Sequence, residues 1–180
     1  NVTFNDATWA SGNAPLGYDS SAPDDYTFVT RVGFGADAAN KYVTTYFRQK
    51  VVVNNPSIYG SIQLSLQRDD GAVVYVNGTE VARFNMAAGP VSYTNMALNA
   101  VANANYSAPF SLPSSVLVPG RNVIAVEVHQ TTVTTNAGMR ISPASAYTVA
   151  WDGGDGDFSS PASPALAPTN AAMAAFGVDI

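Results

Sequence analysis

The sequence predicts an all-β fold in which two antiparallel sheets pack face to face as a sandwich. Many short segments alternate apolar and polar residues with a period of two, which is typical of half-buried antiparallel strands. No long segment repeats its apolar residues with the period of about 3.6 that an amphipathic helix requires. About eight short strands, roughly 8 to 15 residues apart and without helices between them, indicate a sandwich.

The chain up to residue 40 is irregular and predicts only two short strands, near 2–4 and 26–32. Residues 42–53 predict the first long strand, because Phe47 falls on its apolar face and Tyr46 falls on its polar face. The other predicted strands are 61–67, 72–76, 79–84, 106–112, 122–130 and 139–150.

Turn chemistry separates these strands. Asp69-Asp70-Gly71 predicts a turn, and Asn77-Gly78 predicts a tight hairpin because both residues tolerate the positive φ of a type I′ turn. A long, weakly patterned loop is expected over 85–105. One helical turn is expected at 113–117, followed by a Pro119-Gly120 turn.

The amino-acid composition of the chain changes after residue 150. We expect a sandwich over 1–150, a linker over 151–170 that is first rich in Gly and Asp and then in Pro and Ala, and an apolar tail over 171–180. The tail is either the start of a following module or a strand that docks elsewhere. The chain opens at Asn1 rather than at a methionine, and we expect it to be part of a longer protein.

Four ordered motifs resemble a bacterial galactose-binding-like domain. They are NDATWASGNAPLGY (5–18), NKYVTTYFRQKVVV (40–53), LSLQRDDGAVVYVNGTEVARFNM (64–86) and LVPGRNVIAVEVHQ (117–130). Such domains recur in secreted proteins beside metallophosphoesterase, lamin-tail and glycoside-hydrolase modules. The resemblance implies a jelly-roll sandwich with an accessory role, often carbohydrate binding. RDDG is similar to an Asp-Asp turn that holds calcium in some adhesin-type lectin domains.

Composition argues against several classes of partner. Charged residues make up only 12% of the chain, the net charge is −5, and the eight lysines and arginines are scattered singly. Binding to nucleic acid or to an anionic membrane surface needs clustered Lys and Arg. No apolar run approaches the roughly 20 residues of a membrane helix, so membrane insertion is not expected. The uncharged polar surface and the absence of cysteine favour a secreted or surface-displayed bacterial protein.

The sequence contains few residues in arrangements typical of catalytic sites, and we expect no enzymatic activity from this chain. His129 is the only histidine, and it shares a strand face with Glu127, about 7 Å away. Neither a nucleophile elbow nor a set of histidines for one or two metal ions is present. The structural alternative is a histidine at the sheet surface, bonded to its neighbours.

Three sets of candidate binding residues follow. The candidate ligand site consists of Tyr18, Asp69, Asp70, Glu127 and His129. The candidate calcium ligands are Asp69, Asp70, Asp152, Asp155 and Asp157, because acidic loops supply the oxygen ligands that hard cations prefer. Exposed aromatic residues would serve a sugar site, and the candidates are Trp9, Tyr18, Tyr26, Tyr59, Tyr93 and Tyr106. The alternative for the aspartates is that they only stabilise turns.

Three functions remain open at this point. The first is a non-catalytic extracellular module that attaches a larger protein to glycans or to a cell surface. The second is a structural subunit of a fibre or surface layer, in which the tail 171–180 complements the sheet of a neighbouring copy. The third is an accessory domain of a secreted hydrolase.

Overall fold

The computed structural model describes residues 3–18, 28–59, 61–101, 107–143 and 178–179, and within these ranges the chain folds as strands joined by loops. The strands are β1 (Ser11–Gly12), β2 (Leu16–Tyr18), β3 (Thr30–Arg31), β4 (Thr44–Val53), β5 (Ser61–Asp69), β6 (Gly71–Val76), β7 (Thr79–Phe84), β8 (Phe110–Pro113), β9 (Gly120–His129), β10 (Ala137–Pro143) and β11 (Val178–Asp179). Two single 3-10 turns are present as well, at Pro56–Ile58 and Ser114–Val116. No helix in the described ranges is long and apolar enough to cross a membrane.

The strands form two sheets that pack against each other. One sheet has the order β1-β11-β4-β9-β6-β7, and the other has the order β3-β2-β10-β5-β8. The eight strands β2 and β4 to β10, numbered one to eight along the chain, fall in the orders 2-7-4-5 and 1-8-3-6. This interleaving of two Greek keys is the jelly-roll topology. The prediction of a two-sheet antiparallel jelly-roll sandwich is confirmed.

The core lies between the inner faces of the two sheets. Phe47 of β4, Val74 of β6 and Val126 of β9 point inward from the six-stranded sheet and meet Leu66 of β5 and Met139 of β10. All five side chains are buried, as the period-two pattern predicted for Phe47 and Leu66, and each such side chain contributes about 1.5–3 kcal/mol by leaving water. The same alternation turns the intervening residues of β4, β6 and β9 to the outer face.

The Asn77-Gly78 hairpin forms as predicted between β6 and β7. Asn77 has φ 52° and Gly78 has φ 87°, the left-handed conformations that a type I′ turn needs. The Asn77 side chain also bonds outside the turn, because its Nδ2 donates to Asn122 Oδ1 at 2.7 Å and its Oδ1 accepts from the Val123 backbone at 2.9 Å. The hairpin is therefore tied to the start of β9.

The weakly patterned parts of the chain differ from the prediction. Residues 3–4 form no strand, Thr30–Arg31 is the strand within the described part (28–32) of the segment expected near 26–32, and residues 107–109 form no strand ahead of Phe110–Pro113. The short strand Leu16–Tyr18 was not predicted, and it exists because it pairs with β10. Pairing partners that are distant in sequence decide these short strands, and alternation over two or three residues cannot reveal them.

Parts of the expected C-terminal organisation lie outside the described residues. The predicted strand 139–150 corresponds to Ala137–Pro143, and residues 144–150 and the linker 151–170 are not described. Within the tail, Val178–Asp179 pairs with Ser11–Gly12 on one side and with Arg48 on the other.

Candidate functional site: an aromatic groove on the outer sheet face

The outer face of the six-stranded sheet carries a group of aromatic and charged side chains. Tyr46 and Arg48 extend from β4, Ala125 and Glu127 from β9, and Tyr75 from β6. Tyr46 stands directly opposite Glu127 in the ladder, and Ala125 lies between Arg48 and Tyr75. Neighbouring strands are about 4.8 Å apart, so these five side chains share one small area.

The segment formed by residues 3–9 closes one side of this area. Asp6 holds it in place, since its carboxylate accepts hydrogen bonds from Arg48 Nε at 3.0 Å and from Lys50 Nζ at 2.6 Å. The hydrogen bond from Lys50 is the main cause that lowers the pKa of Asp6. Phe4 lies over the Arg48 guanidinium at 5.1 Å, and its ring packs edge-on against Trp9 at 5.5 Å. Ion pairing and aromatic packing therefore position the exposed ring of Phe4 and the partly exposed ring of Trp9.

The loop over residues 85–101 closes the other side. Met86 and Ala97 pack on Val73 of β6, and Val91 lies against the edge of this small cluster. The Ala97 backbone also donates to the backbone carbonyl of Gln130 at 3.0 Å. The loop forms a second apolar layer over the sheet, although its sequence pattern predicted no such packing.

Between the two segments the sheet surface forms a groove of about 400 Å³. The side chains that surround it include Phe4, Trp9, Tyr46, Tyr75, Val91 and Glu127. Ala125 lies at its floor, where a methyl group leaves space between the longer Arg48 and Tyr75 side chains on the flanking strands. Ligand pockets have volumes of about 300–1,000 Å³ and combine apolar walls with a few placed polar groups. The groove has this character.

Glu127 is the acidic residue of the groove. Its Oε1 accepts a hydrogen bond from the Tyr75 hydroxyl at 2.6 Å, and its Oε2 lies 3.6 Å from His129 Nε2. Burial acts to raise the pKa of Glu127, but His129 and the Tyr75 hydroxyl outweigh it, so that this pKa lies below its ordinary value of 4.5. Burial and the hydrogen bond to Glu127 raise the pKa of Tyr75. Glu127 is thus ionised at neutral pH.

His129 supports Glu127 from beneath the loop and is fully buried. Its Nδ1 lies 2.7 Å from the backbone carbonyl oxygen of Asn95 and 2.9 Å from Thr44 Oγ1. A carbonyl oxygen only accepts, and the Thr44 hydroxyl already donates to the Tyr93 carbonyl, so Nδ1 must carry the proton. The other ring nitrogen, Nε2, is buried and has no hydrogen-bond partner among the residues that the structure describes.

The structure divides the five candidate ligand residues into two groups. Glu127 and His129 contact each other beside the groove, whereas Tyr18, Asp69 and Asp70 lie together elsewhere. Tyr18 is 2% exposed, and burial, with the nearby charges of Asp69 and Asp70, raises its pKa to about 12. These three residues are buried, and they do not line the groove.

Asp70 has a structural explanation. Its Oδ1 accepts from the Val101 backbone at 2.7 Å, and its Oδ2 accepts from the Thr131 backbone and hydroxyl, both at 2.8 Å. It thereby fixes the ends of two loops. No group of three or more acidic, histidine or cysteine residues that could hold a metal ion occurs within the described ranges. Calcium at Asp69 and Asp70 stays a prediction, and the other candidate calcium ligands, Asp152, Asp155 and Asp157, lie outside the described residues.

Of the aromatic residues predicted for a sugar site, Trp9 lines the groove. Tyr59 is buried, Tyr93 is 69% exposed on the loop away from the groove lining, and Tyr26 and Tyr106 lie outside the described residues. The sequence interpretation missed the aromatic side chains Phe4, Tyr46 and Tyr75 as groove residues. The alternation in β4 did place Tyr46 on the polar face, which was the available signal.

Comparison with models of known protein families found no match, and comparison with curated proteins found none either.

Proposed function

We propose that this chain is a non-catalytic extracellular module of a larger bacterial secreted or surface protein, and that its outer-face groove binds carbohydrate. The groove itself carries the proposal, because it combines several partly exposed aromatic rings with an ionised carboxylate. The motif resemblance to galactose-binding-like domains and the low charge of the chain support the same conclusion.

The chemistry of a sugar ring suits this arrangement. One face of a pyranose exposes C–H groups, which pack on aromatic rings such as Trp9 and Tyr46. Its hydroxyl groups need hydrogen-bond acceptors, and Glu127 supplies one at the wall of the groove. Tyr and Trp offer both an apolar body and a polar edge, so they accommodate a ligand of mixed polarity.

Catalysis does not form part of the proposal. The ring of His129 is fully buried under the loop, and the hydroxyl nearest to it, Thr44 Oγ1, donates its proton to the Tyr93 carbonyl. A serine-type mechanism needs a nucleophile whose proton the histidine can take. We do not propose the fibre subunit, since nothing in the described residues favours it and Val178–Asp179 pairs within its own chain.

The test is binding to an immobilised panel of bacterial and plant polysaccharides and oligosaccharides, with a variant that fills the groove. Ala125→Leu places a larger side chain at the floor of the groove without changing the core, because residue 125 faces outward. We expect the unaltered chain to bind at least one glycan and the variant to lose at least about tenfold in affinity, since a ligand cannot displace a packed side chain without strain.

Val52→Leu is the matched control. Val52 lies on the outward side of β4, is 42% exposed, and does not line the groove, so the same kind of enlargement there should leave binding unchanged. Absence of binding to every glycan, or equal binding by Ala125→Leu and the unaltered chain, would contradict the proposal.

A further inference from the structure

The charge of the groove is unevenly compensated. Arg48 and Glu127 are its charged lining residues. The Arg48 guanidinium is paired with Asp6 and covered by Phe4. Glu127, in contrast, has no Lys or Arg side chain within 4 Å among those that the structure describes, and its contacts are Tyr75 and His129.

His129 approaches Glu127 without completing a hydrogen bond. Its Nε2 lies 3.6 Å from Glu127 Oε2, which is beyond hydrogen-bond distance. This Nε2 atom is buried and has no hydrogen-bond partner in the described part of the chain, so Glu127 Oε2 receives no hydrogen bond from the ring.

Aromatic rings surround the same carboxylate. Tyr75 donates its hydroxyl to Glu127, and Tyr46 stands opposite Glu127 in the strand ladder. The pKa of Tyr46 is raised by burial and by the Glu127 charge, which places the two groups close together. A carboxylate beside aromatic faces is the environment that stabilises an organic cation, through its charge and through cation–π attraction.

We propose, on the basis of the carbohydrate-binding function above, that the groove selects glycans with free amino groups, so that Glu127 is the counter-ion of a deacetylated hexosamine unit. The ammonium group donates to Glu127 and pairs with its negative charge. Acetylation of the same nitrogen removes the charge and adds bulk. The specificity of the groove is thus a preference for amino over N-acetylamino sugars.

Calorimetric titration at neutral pH tests this preference with three oligosaccharides of equal length. They are the tetramers of β-1,4-linked glucosamine, N-acetylglucosamine and glucose. We expect the glucosamine tetramer to bind about tenfold or more tightly than the other two, the difference that a charge-assisted hydrogen bond supplies. Added salt should weaken its binding more than theirs.

Glu127→Gln removes the charge while keeping the size and one acceptor. It should reduce affinity for the glucosamine tetramer about ten- to hundredfold and change affinity for the N-acetylglucosamine tetramer about threefold or less. Glu80→Gln is the matched control, because Glu80 forms an exposed pair with Arg83 and does not line the groove. The unfolding midpoints of both variants verify that they are folded, and the comparison among the three sugars needs no variant.

The outcomes separate this inference from the function on which it rests. Equal or tighter binding of the acetylated or the neutral tetramer, lost in Ala125→Leu, overturns the amino-sugar preference and leaves the carbohydrate site in place. Binding of the glucosamine tetramer that Glu80→Gln weakens as much as Glu127→Gln also overturns it, because the attraction is then a general effect of the negative surface. Absence of binding to any oligosaccharide or polysaccharide overturns both proposals.

Discussion

Replacing Asp70 by alanine should destabilise the sandwich strongly. The carboxylate is 2% exposed and accepts three hydrogen bonds, from the Val101 backbone and from the Thr131 backbone and hydroxyl. Each bond to a charged group contributes about 1.5 kcal/mol or more, and the variant leaves buried donors without an acceptor. Because part of the Thr131 environment can admit water, we expect a total loss of about 3–5 kcal/mol. That is a large fraction of the roughly 5–15 kcal/mol by which such domains are stable.

The assay is urea unfolding followed by fluorescence, with the free energy extrapolated to zero denaturant. Asp37→Ala is the matched control, since the exposed Asp37 carboxylate accepts a single bond from the Ala39 backbone at 2.8 Å. Its loss should cost about 1 kcal/mol or less. A cost below about 1 kcal/mol for Asp70→Ala would refute the structural role that the hydrogen bonds assign to this residue.

The same experiment tests calcium at the Asp69-Asp70 turn. If Asp70 acts only through its hydrogen bonds, the free energy of unfolding should differ between Asp70→Ala and the unaltered chain by the same amount with calcium and with chelator. A bound ion stabilises only the folded form that holds it. A difference that shrinks in chelator would therefore support the calcium prediction.

Two further predictions concern stability. The pKa of Tyr18 is raised to about 12 from 10.0, because burial disfavours the ionised phenolate. The contribution of Tyr18 to the free energy of unfolding is therefore fully present below pH 10 and falls by about 2–3 kcal/mol as the pH rises to 12. Tyr18→Phe should abolish that alkaline loss in urea unfolding at high pH without destabilising the protein at neutral pH, and an unchanged alkaline slope would contradict it. Asn77→Ala should cost about 3 kcal/mol, from the lost side-chain bonds and the positive φ of 52°. Asn77→Gly keeps the turn and should cost about 1 kcal/mol less; equal costs for the two variants in thermal unfolding would show that φ is unimportant.

The strands that could be predicted from the sequence are those in which two local signals agree, namely a period-two alternation of apolar residues and a tight turn. In β4 and β5 the alternation runs over several residue pairs, and in the β6–β7 hairpin the Asn77-Gly78 turn fixes the register. Period-two patterns specify which face is buried, and tight turns specify where the chain reverses. Where both occur, local sequence determines the element.

The groove could be predicted only in part, because it depends on contacts between distant segments. The polar faces of the strands pointed outward as expected, and Glu127 and His129 lie side by side as their spacing implied. The position of Trp9 depends on Asp6, which reaches Arg48 and Lys50 about forty residues later in the chain. No local pattern in the sequence reports such a contact.

The Asp-Asp turn shows the opposite limit. Its composition fits both a cation site and a loop anchor, and residue types alone do not distinguish them. The hydrogen bonds from Val101 and Thr131 come from residues distant in sequence, so only the folded structure reveals them. Burial and partners, rather than the motif, decide the structural role of Asp70.

The most direct test of the binding groove is a nuclear magnetic resonance titration with a glycan selected from the panel, observing the Ala125 methyl group and the Trp9 indole. The groove predicts that the largest saturable shift changes occur at these two residues and at the Tyr75 ring, with little change at Ile62 in the core. Changes that are confined to the turn at Asp69 and Asp70, with the Ala125 and Trp9 signals unmoved, would contradict the account.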